Sequence, residues 1–153
     1  MRSINKILFI GMFIFLLMGA VCAATDIDSL KAPKGFSEIK NGTATFEKNN
    51  EKCILYIDKI DSKEFQDFLS KHKDHIKYEE LGNDTYSYTD EDDSNSGAIE
   101  KVKIDNADYV VYTQFEGKKE LSKKELKFSK NVLKLFNEAN NLKAEAGLKE
   151  SLK

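Results

Sequence analysis

The sequence predicts an α+β fold: an antiparallel β-sheet of hairpins with one short and one long C-terminal helix packed on it, preceded by an N-terminal signal helix. Three observations predict it. From residue 42 to residue 116, apolar and aromatic side chains alternate in runs separated by turns rich in Asn, Asp and Gly. From 121 to 142 the apolar spacing becomes that of a helix face. The first 24 residues are a nearly continuous apolar run with a basic start.

The leader divides into Arg2 and Lys6, an apolar stretch over 7–18, and small residues over 19–24, which is the order of an export signal. Val21 and Ala23, or Cys22 and Ala24, supply the small side chains a peptidase reads, so 1–24 is expected to be removed and Cys22 with it. An uncleaved anchor is the competing reading, because the apolar run would reach about 27 Å as a helix. A lipid-carrying Cys22 is a weaker one, since the residues before it do not form a lipobox. The expected place is extracellular or at the cell surface, with membrane contact only through 7–24 if the leader stays.

Residues 25–34 lack a period and contain the only proline, Pro33, so they read as a short tether. A single domain over 35–147 follows. Gly35 opens it, and Phe36 and Ile39 read as a short first strand. Residues 42–48 and 52–57 form a hairpin around Asn49-Asn50, whose register pairs Phe46 with Cys53, Ala44 with Leu55 and Thr43 with Tyr56. Cys53 then falls among core residues, as a small hydrophobe with a raised thiol pKa.

Asp61 or Ser62 caps a helix that carries Phe65, Phe68, Leu69 and His72 on one face and ends near Lys73. A second hairpin spans 76–81 and 85–89 across Gly82-Asn83-Asp84. After an acidic loop over 90–97, a third joins 98–105 to 108–116 across Asn106-Ala107, with Ile104 facing Tyr109 and Val102 facing Val111. The long helix has the strongest signals: Ser122 and Glu125 at capping-box spacing, a stripe of Phe128, Val132, Leu135, Phe136, Ala139 and Leu142, and Gly147 as a stop. Residues 148–153 read as a frayed tail.

Removing Arg2 and Lys6 leaves 22 lysines against 26 Asp and Glu, a net charge of about −4, with no arginine and no tryptophan. Such a chain is ill-suited to phosphate backbones, and no nucleic-acid partner is expected. With Cys22 gone, Cys53 has no partner for an internal disulfide. Asn41 and Asn83 head glycosylation sequons at turn-like positions.

Candidate chemistry is sparse. No nucleophile elbow, phosphate loop or dinucleotide fingerprint is present, and no cofactor is expected. Metal ligation would have to come from His72 and His75, with Asp74, Glu79 or Glu80 nearest in sequence, or from oxygen ligands in the acidic loop at Asp90, Asp92 and Asp93. That loop fails the EF-hand pattern, because counting from Asp92 puts Lys103 where a glutamate is needed. The plain alternatives are a polar helix end and a solvated loop. Six tyrosines on expected strands are either sheet packing or a binding face.

The opening from Pro33 to Phe36, the hairpins, the short helix and the long last helix resemble the PsbP/Mog1-like group of small α+β domains. The Lys, Asn and Ile bias also resembles small exported proteins of methanogenic archaea. The resemblance covers most of the mature chain and implies a surface or secreted accessory. The function expected is non-catalytic binding of a protein or cell-surface component through one sheet face. A carboxylate-based cell-envelope hydrolase and a calcium- or metal-dependent module are the alternatives.

Overall fold

Three two-residue turns organise the sheet. Asn49-Asn50, Asn83-Asp84 and Asp105-Asn106 each place two consecutive residues at positive φ, between 50° and 66°, the conformation of the twisted type I′ hairpin that Asn and Asp tolerate. The structure is a computed structural model that describes residues 26–152; the expected leader and Cys22 lie outside these. Strands β1 (Thr43–Lys48), β2 (Glu51–Lys59), β3 (Ile76–Gly82), β4 (Thr85–Asp90), β5 (Asn95–Ile104) and β6 (Ala107–Glu116) form one antiparallel sheet in the order β1-β2-β6-β5-β4-β3. Helices α1 (Lys63–His72) and α2 (Lys123–Ala139) lie on opposite faces.

The first hairpin has the expected register, with Phe46 opposite Cys53, Ala44 opposite Leu55 and Thr43 opposite Tyr56. The third does not: Val102 pairs with Tyr109 and Ile104 with Ala107. Its turn is Asp105-Asn106 because Asp and Asn accept positive φ, whereas Ala107 at the second turn position would be strained. Pairing sums shift by two, so Val102, Ile104, Tyr109 and Val111 still share one face, and all four are buried in one core cluster.

That first face carries the main core. Ala44, Leu55, Ile57, Ala98, Val102 and Val111 meet Val132, Leu133 and Phe136 of α2. The capping box of α2 is closed in both directions: the Ser122 hydroxyl accepts from the Glu125 amide at 3.1 Å, and the Ser122 amide donates to the Glu125 carboxylate at 3.0 Å. The helix ends well before Gly147. Asn141 takes positive φ, and the Leu142 amide donates back to the Asn137 carbonyl at 2.8 Å, so asparagine does the work expected of glycine.

The two ends of the described residues are part of the fold, contrary to the sequence reading. The supposed tether holds a helical turn, Ile27–Ser29, and packs Ile27, Leu30 and Ala32 against the core. Asn140 exchanges hydrogen bonds with the Lys31 backbone in both directions, and Asp28 accepts from the amides of Asn41 and Gly42. The supposed frayed tail over 148–153 folds back: just before it the Glu145 amide donates to the Lys101 carbonyl, and α3 (Leu148–Ser151) buries Leu148 completely in the second core cluster with Phe65, Tyr88, Ile99 and Val110.

Gly97 is required by close approach. A Cβ there would stand 1.9 Å from the Thr113 carbonyl oxygen. Opposite it Tyr88 is buried, and its hydroxyl donates to that same carbonyl, while the Thr113 hydroxyl accepts from the Ala98 amide.

Candidate functional site

Strand order brings the sequence's separate metal candidates together. β2 and β3 run in the same direction with three strands between them, so α1 must cross the second sheet face from the end of β2 to the start of β3. Ser62 starts the helix, its hydroxyl accepting from the Phe65 amide at 3.2 Å. Phe65 and His72 are its buried residues. At the far end the His75 amide closes on the His72 carbonyl at 2.8 Å, and Ile76 pairs with Asp90, the last residue of β4. The end of α1 and the turn after β4 are thereby neighbours.

In that turn one carboxylate oxygen of Asp90 accepts from the amides of Asp92 (3.1 Å) and Asp93 (3.3 Å). Its other oxygen faces the His72 Nδ1 at 3.5 Å, and both atoms are buried without a hydrogen bond. On the other side of the ring, Nε2 stands 3.4 Å from an Asp93 carboxylate oxygen. His72 and Asp90 side chains are 6% and 1% exposed, whereas Asp93 is 51% exposed, so two members are walled in and one opens to solvent. The Phe68 ring lies 4.7 Å from the imidazole. His75 and Asp92 form a second pair at 3.4 Å, both about half exposed.

The polar helix end expected at His72 is therefore buried, and its carboxylate neighbours are Asp90 and Asp93 rather than Asp74, Glu79 or Glu80. The acidic loop is only residues 91–94, because Asn95, Ser96 and Gly97 belong to β5; a twelve-residue calcium loop starting at Asp92 has no room to form. Asn41 and Asn83 are exposed at positive-φ turn positions. Cys53 is buried, and burial pushes its thiol up to about 12.

Two further features stand out, of which Glu100 was not singled out from sequence and the tyrosine face was expected only as an undivided set of six strand tyrosines. Glu100 lies at the floor of a groove of about 850 Å³ between α2 and the β3–β4 turn. Its carboxylate accepts from Thr85 Oγ1 at 2.7 Å and from Asn137 Nδ2 at 2.8 Å, and burial raises its pKa against the lowering effect of those bonds. On the second sheet face, Tyr56 and Tyr112 stack at 4.9 Å with rings 14° apart, and the Tyr112 hydroxyl donates to Asp58 at 2.9 Å. Burial, helped by the Asp58 charge, raises the Tyr112 pKa; burial with Glu116 and Asp58 raises that of Tyr56. The hairpin register was the available signal, since it already set Tyr56 opposite Thr43 on the face away from Leu55.

No family model, curated protein or solved structure matches the chain. Among the described residues, no helix is long and apolar enough to cross a membrane.

Proposed function

We propose that this is an exported, non-catalytic binding domain that engages a protein or cell-surface component through the open half of its second sheet face. One observation carries the reading. On β1 and β2 the first-face residues Ala44, Cys53, Leu55 and Ile57 are buried, while the opposite-face residues Thr43, Thr45, Ile54 and Tyr56 are only half-buried. The Tyr56–Tyr112 stack is the aromatic centre of that surface, with Glu47, Lys52 and Glu116 as exposed charges around it. An aromatic patch with a polar rim is the composition of protein-binding surfaces, because stacked tyrosines offer large apolar area at little entropic cost and keep a hydroxyl for pairing. The accessory role implied by the PsbP/Mog1-like layout points the same way.

The test is a photoreactive side chain at Tyr56 in cells, beside a control at Lys130, which is exposed on α2. One discrete adduct is expected from position 56, with retention in the cell-surface fraction that weakens in Tyr56→Ala. Equal labelling from both positions, or unchanged retention in the variant, would count against this face.

A further inference from the structure

Two buried groups in the fold face each other without a bond. His72 Nδ1 and an Asp90 carboxylate oxygen, 3.5 Å apart, have no hydrogen-bond partner. An ionisable pair in this condition costs free energy unless something satisfies it. Asp93 supplies a third donor: one ligand atom from each of His72, Asp90 and Asp93 lies within 4.8 Å of the other two. The two short contacts use opposite ring nitrogens, and an imidazole gives only one of them to an ion, so a single contact of 3.4 or 3.5 Å supplies an edge close to that of a tetrahedron whose centre lies about 2.0–2.2 Å from its ligands, while the remaining carboxylate lies within the 4.8 Å set.

We propose that His72, Asp90 and Asp93 bind a single divalent first-row transition ion, with Zn²⁺ the best fit to one imidazole and two carboxylates. A buried imidazole donor selects against Ca²⁺ and Mg²⁺, which take oxygen ligands. The donors are pre-set by the fold. Asp90 is fixed by the two turn amides it accepts, and His72 by its place in the last turn of α1 against Phe68. Asp93 is the exposed member through which the ion enters. Three protein ligands leave a coordination position for water or for a group on a bound partner. His75 and Asp92 lie outside the mutually close set and are not ligands. Bound in this way, the ion clamps the end of α1 to the turn after β4.

The competing account is an imidazolium held between two carboxylates with no metal, and the experiment separates the two. Chelator-treated protein is titrated with Zn²⁺ by calorimetry, and the histidine ring nitrogens are followed by NMR. One Zn²⁺ per chain is expected, with a higher thermal midpoint and a shift of the His72 ring signals larger than that of His75. Asp93→Asn, at an exposed position, should weaken Zn²⁺ by about tenfold or more, since even groups outside the ligand shell carry that much. His72→Gln should abolish saturable binding. The proposal is overturned by no saturable Zn²⁺ binding, by Ca²⁺ binding tighter than Zn²⁺, or by undiminished affinity in Asp93→Asn with unmoved His72 signals.

Discussion

Leu148→Ala tests whether the chain end is structural. The side chain is fully buried in the cluster of Phe65, Tyr88, Ile99 and Val110, although it sits in a four-residue helix close to the C-terminus. Returning a leucine to water costs about 1.5–3 kcal/mol. A void left in a packed core brings Leu→Ala losses to about 2.7–5 kcal/mol. A short terminal helix can settle partly into the space, so the lower part of that range applies, about 3 kcal/mol. For a domain of this size that lowers the thermal midpoint by roughly 10–15 °C. Melting followed by circular dichroism, together with equilibrium urea unfolding, measures it. Leu152→Ala, at a partly buried position, should lose clearly less. A loss under about 1 kcal/mol for Leu148→Ala, on the scale of an ordinary surface substitution, would show that the tail does not dock and that the second core closes without it.

Three other substitution or labelling results follow from burial. Glu100 has a folded pKa above its unfolded value, so the folded state holds the proton more tightly and stability falls as pH rises from the unfolded pKa through the folded one. Glu100→Gln removes that titration, and its midpoint relative to the parent should therefore rise as pH climbs above the ordinary glutamate range; a constant or falling difference would contradict the assignment. Glu100→Ala leaves Thr85 and Asn137 without their acceptor and should cost about 1–3 kcal/mol. Cys53, with its thiol pushed up to about 12, should resist thiol reagents near pH 8 in the native protein and react once urea unfolds it; rapid native labelling would mean that the strand opens locally.

Much of the fold could be read along the chain because its signals are local. Alternation marked the strands, the Asp61-Ser62 pair, of which Ser62 is the cap, and the Ser122–Glu125 box marked the starts of α1 and α2, and the Asn49-Asn50 turn set the first hairpin to the residue. The third hairpin missed its register because Asp105, Asn106 and Ala107 offer two overlapping turns, and only positive-φ tolerance separates them. The two ends were misjudged for a different reason. Residues 26–32 and 148–152 have too few apolar side chains to announce structure, and their order comes from docking against a core built elsewhere.

The candidate site divides along the same line. His72 and His75, and Asp90, Asp92 and Asp93, were visible as ligand types in two unrelated segments, each with a plain solvated reading. Nothing in composition or spacing says that they meet. They do so because α1 crosses a face of a sheet ordered β1-β2-β6-β5-β4-β3 and delivers its last turn to the start of β3, where the first pair of the β3–β4 ladder holds Asp90. Burial of His72 and Asp90, and the open tyrosine face beside β1, likewise depend on which strands the helix covers. Local propensity shaped each element in the chain; the order of the strands, set by how all six bury their faces together, placed those side chains beside one another.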